Sequence, residues 1–396
     1  MIIDMDAHYE PTADWLDSFP RLKRELPDRY PESDPRFALA SAEEFAFFMS
    51  DDLLRHAPPE RRMPIERLTT PSMELMFDIT RSDAAGLGYK GATMNPEMTD
   101  PAVRIEWLDG QGIAKQVVTT GTGYTLARVI EDPDLGMRTL EAVNTWMGER
   151  SKGHTDRIMP TTTLRWEDPD WCVRELTRMR ELGSRTFLIN AEPVGDRPTT
   201  HPDYDPVWAA ASALGMIGVI HVGLSPATFH PGWSTTDKPA IVRLLATLHM
   251  SQTAETWLTS AIFEGVFERH PKLTVLMSEQ GIAWVAPLIR KLDAFVASKG
   301  SDVRIGRYTH SLTPSEFAAR NLRVSPLPTD AENPTALLDA FPTVGVFASD
   351  YPHFEGSGDP VGHYAGLFAD RGDEAVQGFH SENILASYAA MGDPLL

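Results

Sequence analysis

Cysteine is almost absent: Cys172 is the single thiol in 396 residues. One thiol excludes an intrachain disulfide and any cysteine zinc cage. Basic side chains are also scarce, with 36 Lys and Arg against 56 Asp and Glu and a formal net charge of −20. Nucleic acid and anionic membrane surfaces attract the opposite balance, so neither is expected as a partner. No window approaches the roughly 18 consecutive apolar residues of a membrane helix. The opening Met-Ile-Ile-Asp-Met-Asp has neither the basic nor the long apolar region of a secretory signal. No Gly-x-Gly-x-x-Gly follows a strand pattern and no Walker sequence occurs, which removes the common phosphate cradles. A soluble, cytoplasmic protein is the expectation.

What is present is a regular alternation. Short β-branched runs occupy Ile2–His8, Ala114–Gly121, Arg157–Leu164, Ser184–Asn190, Met216–Gly223, Lys272–Glu279, Asn321–Pro328 and Thr343–Asp350. Amphipathic stretches separate most of them, at Leu135–Lys152, Asp170–Leu182, Tyr204–Leu214, Ala254–Arg269 and Ile282–Ser298. Strands alternating with helices imply a parallel sheet with crossover helices, and eight such units predict an α/β fold, the (β/α)8 TIM barrel. Asp168-Pro169-Asp170 reads as a helix start and Gly183 as its stop. The whole chain, 1–396, reads as one domain. Residues 11–112 form a large, mostly helical insertion after the first strand, with helical patches at Ala42–Arg55 and Arg104–Gly110 and a loop at Gly86–Gly91. Further insertions lie at Ser225–Pro239 and Gly300–Thr313. A segment inserted after a barrel strand emerges at the C-terminal mouth, so the first two read as a lid and pocket walls, or as an oligomer contact.

The strand ends carry the chemistry. Asp6 and His8 are two apart and share a face if the strand runs through them. Alone they form a weak signal, since Asp6 reads as well as a turn cap and His8 as a core histidine. Three more apolar runs end on a polar residue: His221 after the fifth, Glu279 after the sixth and Asp350 after the eighth. Charged residues are rarely buried unpaired. The C-terminal ends of barrel strands converge on one axial site, where imidazoles and carboxylates make a ligand set for a divalent metal.

With these residues in view, the sequence resembles the second branch of the amidohydrolase superfamily, which includes the aminocarboxymuconate-semialdehyde and resorcylate decarboxylases. The resemblance rests on Asp6-Ala7-His8, His221, Ser278-Glu279-Gln280-Gly281 and Ser349-Asp350-Tyr351-Pro352-His353, in that order along the chain. It is weakest through Pro11–Gly112. It implies one divalent ion held by Asp6, His8, His221 and Asp350, with zinc expected first and manganese or iron as alternatives. It also implies that Asp350 both touches the metal and handles a proton. Two departures stand out. Asp6 replaces the leading His or Glu of the first strand, and Glu279 replaces a histidine that serves relatives as acid/base or polariser.

Glu279 therefore reads as a further ligand, a general base or an acceptor that orients His221. His353 reads as an acid/base group or as a loop residue packed beside Pro352. Substrate contacts are expected from Arg165 after the third strand, Asn190 ending the fourth, and His230 and Trp233 after the fifth. Arginine suits a carboxylate through bidentate pairing. The expected function is decarboxylation of a small cyclic or unsaturated acid. The alternative is metal-assisted hydrolysis of an amide, lactone or carbon–carbon bond. A non-catalytic binding barrel is a third reading. The expected partners are a small-molecule substrate and further copies of the chain, as a homodimer or larger homo-oligomer.

Overall fold

The computed structural model describes residues 1–9, 15–26, 100–121, 123, 127, 130, 132–222, 245, 248–298, 307–327, 332–351 and 359–395. Seven parallel strands follow one another around a single sheet in chain order: β1 (Ile2–Asp4), β2 (Ile113–Val118), β3 (Ile158–Thr162), β4 (Thr186–Leu188), β5 (Ile217–His221), β6 (Val275–Ser278) and β7 (Leu322–Val324). Neighbours in sequence being neighbours in space, with helices between, is the pattern of a (β/α)8 barrel.

The eighth predicted strand takes its place in the ring by single bridges rather than a continuous ladder. On the β7 side, Val324 N donates to Val344 O at 2.9 Å and Val346 N donates to Val324 O at 3.0 Å. On the β1 side, Met5 N donates to Phe347 O, Asp350 N to Asp6 O and His8 N to Tyr351 O at 2.8–3.0 Å. Residues 344–351 thus close the barrel. The amide of Phe347 donates instead to Phe379 O at 2.9 Å. That carbonyl is available because residues Gly378–Glu382 form a π-turn, in which Asn383 N reaches back to Gly378 O. A single π-turn in a helix commonly serves such a local purpose.

The predicted helices appear with small shifts, at Pro133–Ser151, Pro169–Glu181, Asp205–Leu214 and Val285–Ala297. Ala254–Arg269 is instead two helices, Gln252–Phe263 and Val266–Arg269, because Gly265 between them adopts φ +78°. Asp168 caps its helix by accepting from Trp171 N, and Gly183 follows that helix with φ +95°. Of the long insertion, the predicted patch at Arg104–Gly110 lies in the helix Pro101–Gln111. Ala42–Arg55, the Gly86–Gly91 loop, the Ser225–Pro239 insertion and residues 299–306 fall outside the described residues.

An apolar cluster joins Ile3, Met5, Val117, Met159, Val219, Leu276 and Val346 from around the barrel to Ile384, Tyr388 and Met391 of the last helix, Asn383–Met391. A larger cluster fills the layer between strands and helices, with Trp208 and Trp257 wholly buried. Burying side chains of this size contributes roughly 1.5–3 kcal/mol each and sets a rigid frame beneath the strand ends. No helix among the described residues is long and apolar enough to cross a membrane.

Candidate metal centre

β1 ends at Asp4, so Asp6 and His8 lie on its extension rather than within it. Bridges from Ala7 to Tyr351 and from His8 to Thr119 keep that extension in the barrel wall. The expected shared orientation holds: Asp6 Oδ1 and His8 Nε2 are 3.8 Å apart. His221, the last residue of β5, places Nε2 3.3 Å from Asp6 Oδ1 and 3.2 Å from Glu279 Oε2. Asp350 Oδ1 is 3.2 Å from His8 Nε2. Donor atoms of Asp6, His8 and His221 all lie within 4.8 Å of one another, as do those of His8, Glu279 and Asp350. The structure therefore brings together all five residues expected at the strand ends, and all five are buried.

Their orientation suits a cation. His221 Nδ1 is 2.8 Å from the Val222 carbonyl and donates to it. In the neutral ring this leaves Nε2 as the lone-pair nitrogen, aimed at the carboxylates of Asp6 and Glu279. Burial alone lowers the affinity of His221 for a proton, but the Asp6 and Glu279 carboxylates outweigh it and raise the pKa to about 9. The pocket thus attracts positive charge. The separations of 3.2–3.8 Å exceed the about 2.7–2.9 Å of a direct charge-assisted hydrogen bond. They match donors spaced around a common ion. Two imidazoles and three carboxylates fit a single divalent ion by the chemistry of the donor set.

Glu279 and Asp350 share a backbone feature. Both adopt φ +54°, and no other non-glycine residue among those described has positive φ. Such a conformation costs of order 1–3 kcal/mol and persists only where the surroundings hold it. Glu332 holds the first turn by accepting from Ile282 N. The buried Gln280 amide braces it too, in the orientation in which its nitrogen donates to Met250 O and its oxygen accepts from Val222 N.

Several supporting residues escaped the sequence reading. Ser278 Oγ donates to Asp6 Oδ2 at 2.7 Å and lies 3.0 Å from Ser325 Oγ. Asp4, wholly buried, accepts from Gln116 Nε2 at 2.7 Å, from Ser349 Oγ at 2.6 Å and from Ser349 N at 2.9 Å. Burial raises its pKa to about 6 in spite of these donors. Arg104, also wholly buried, donates to Gln116 Oε1 and to His8 O, with its guanidinium 4.7 Å from the rings of both Tyr9 and Tyr351. One signal was available for Asp4: a carboxylate inside an apolar strand run is rarely unpaired. Nothing in the local pattern marks Arg104.

The remaining expectations fare differently. Arg165 is buried, and its Nη1 and Nε donate to Ile130 O and to Glu167 Oε1. Asn190 is half-buried and accepts from Glu192 N through Oδ1. His230, Trp233 and His353 lie outside the described residues.

Comparison with known proteins agrees with this architecture. Residues 3–388 match the amidohydrolase family. An amidohydrolase from Mycobacterium avium subsp. paratuberculosis K-10 is 19% identical, with 98% of each chain covered and a TM-score of 0.67. A 2,6-dihydroxybenzoate decarboxylase from Rhizobium is 15% identical, with 98% of each chain covered and a TM-score of 0.60. A 5-carboxyvanillate decarboxylase from Novosphingobium aromaticivorans, solved with bound manganese, is 16% identical, covering 98% of this chain and 97% of its own, with a TM-score of 0.63. At these identities the likeness concerns the fold, and the match over nearly all of the sequence gives the family: the chain belongs to the amidohydrolases.

Proposed function

We propose that this protein is a metal-dependent decarboxylase of a small cyclic or unsaturated carboxylic acid. The observation that carries the reading is the buried group of Asp6, His8, His221, Glu279 and Asp350 donors at the strand ends of an amidohydrolase barrel. Zinc, manganese and iron all suit imidazole and carboxylate donors. A divalent ion held there supplies Lewis acidity and neutralises negative charge gathered on the substrate.

The residues do the rest. Asp6, His8, His221 and Asp350 would hold the ion, and Ser278 keeps one Asp6 oxygen turned toward the two imidazoles. Asp350, holding the ion through one carboxyl oxygen and carrying a proton on the other, donates that proton to the substrate carbon. The bond from that carbon to its carboxylate breaks, the bonding pair takes the proton from Asp350, and carbon dioxide leaves. Asp350 then regains a proton from solvent. His353 follows Asp350 closely enough in sequence to assist that return. Asn190, His230 and Trp233 are proposed as pocket walls. Arg165 fits better as a brace between Ile130 and Glu167 than as a carboxylate clamp. The 11–112 segment is proposed as a lid or as the contact of a homo-oligomer, and the protein is proposed to work in the cytoplasm.

Hydrolysis is the second reading, favoured by Glu279, which adds a carboxylate beside His221 that is able to serve as a base. The test is product analysis with metal-loaded protein and a panel of hydroxybenzoic and unsaturated acids. Carbon dioxide released in step with substrate loss is expected. Products that have gained water, with no carbon dioxide, overturn decarboxylation in favour of hydrolysis. A metal-loaded protein that turns over neither these acids nor amide and lactone analogues supports the non-catalytic reading.

A further inference from the structure

We propose that Glu279 is itself a ligand of the divalent ion, so that the protein offers five donors, three of them carboxylate oxygens. The inference rests on the metal site proposed above but not on which reaction that site performs.

Geometry carries the argument. The donor atoms form a continuous path: Asp350 Oδ1 to His8 Nε2 at 3.2 Å, His8 Nε2 to Asp6 Oδ1 at 3.8 Å, Asp6 Oδ1 to His221 Nε2 at 3.3 Å, and His221 Nε2 to Glu279 Oε2 at 3.2 Å. Glu279 also closes that path, since its donor atom lies within 4.8 Å of those of His8 and Asp350. Metal bonds of about 2.0–2.3 Å place adjacent ligand atoms about 3 Å apart and opposite ones at a little over 4 Å. Glu279 meets the first condition with His221 at 3.2 Å, and its separation of at most 4.8 Å from the donors of His8 and Asp350 is compatible with a shared ion. A carboxylate that merely oriented His221 would bond its outward nitrogen. Here Nδ1 is already taken by the Val222 carbonyl, and Glu279 faces Nε2, the ligating nitrogen, instead.

The backbone supplies a second, independent observation. Glu279 shares its left-handed φ with Asp350 alone among the described non-glycine residues. Gly281, two residues on, also has positive φ, +68°, and Glu332 secures the turn through Ile282 N. A surface cap needs no such arrangement. A side chain that must be swung from the end of β6 onto the barrel axis does.

The consequence concerns the ion. Five protein donors exceed the four of a tetrahedral zinc site and leave no open position there. An ion that accepts six oxygen and nitrogen ligands keeps one place for a substrate atom. The oxygen-rich set therefore favours a six-coordinate ion such as manganese over zinc.

The experiment loads the full-length protein with Co2+ and reads its visible absorption, which is weak for five or six ligands and strong for tetrahedral coordination. Affinity is measured in parallel by competition with a chelator. Wild type is expected to show weak bands. Glu279→Gly, which accepts positive φ without strain, and the isosteric Glu279→Gln are both to be examined, so that one folded variant suffices, with folding checked by circular dichroism. Glu279→Gly is expected to alter the bands and to lower affinity at least about tenfold. Ser278→Ala serves as the contrast, since loss of an orienting hydroxyl weakens binding while leaving the bands unchanged. Intense tetrahedral bands in wild type, or unchanged bands in a folded Glu279→Gly, overturn the assignment while the metal site stands. A wild-type protein that binds no ion overturns the site and this assignment together.

Discussion

Ser278 Oγ lies 2.7 Å from Asp6 Oδ2, so the residue that ends β6 fixes a carboxylate on the extension of β1. Asp6 is then committed through one oxygen and presents the other, Oδ1, to His221 and His8. A hydroxyl that adds no charge thus sets the direction of a charged group across the barrel mouth, with Ser325 behind it.

Replacing that hydroxyl tests its part in metal binding. Ser278→Ala is expected to weaken divalent-ion affinity about 10- to 100-fold, the usual effect of losing an orienting partner. Ser278→Thr, which keeps the hydroxyl, is expected to recover part of the loss. Isothermal titration with Mn2+ measures both, and equal affinity in wild type and Ser278→Ala would contradict the role.

Asp350→Asn keeps the shape of the side chain but removes its dissociable proton. With metal at saturation, carbon dioxide release is expected to fall by about 10²–10⁴-fold, the range for loss of a general acid. Single-turnover assays on a substrate identified from the acid panel measure the step directly. A variant retaining more than about a tenth of wild-type rate excludes Asp350 as the acid.

Asp4 accepts from Gln116 and twice from Ser349, the neighbour of Asp350. Asp4→Ala leaves those buried donors without an acceptor, at about 1–3 kcal/mol for each group stranded. A loss of about 3 kcal/mol or more is expected in urea unfolding of the metal-free protein. A change under about 0.5 kcal/mol, typical of a surface substitution, would show that the contacts contribute nothing.

Metal removal provides a test that needs no substrate. An ion that binds only the folded chain stabilises it by about 2.7 kcal/mol at a hundredfold excess over Kd. The melting temperature is therefore expected to rise on addition of Mn2+ or Zn2+ and to return with chelator. A melting curve that ignores both additions argues against a cation at this site.

The strand ends were legible in sequence because each follows the same pattern, an apolar run closed by one residue that prefers water or a partner. That pattern located His221, Glu279 and Asp350, and the order of motifs supplied the family resemblance. Strand lengths were less legible. Ile2–His8 reads as one strand, yet the ladder stops at Asp4, where that side chain turns to Gln116 and Ser349. The eighth strand reads clearly in sequence and appears only as bridges, because Phe347 N is drawn to a π-turn carbonyl far along the chain. Arg104 was invisible for the same reason: its partners at His8 and Gln116 come from other elements.

By itself the sequence determined the alternation of strand and helix, the acidic charge, the lack of thiolate ligands and the identity of the strand-end residues. These are properties of composition and local period, which the chain carries whether folded or not. Only the tertiary structure decided that Asp6, His8, His221, Glu279 and Asp350 share one buried space, and at what spacing. It also decided that Glu279 and Asp350 are swung there on left-handed backbone. Donor spacing depends on how the strands are staggered around the closed ring, and that stagger is fixed by packing between residues hundreds of positions apart.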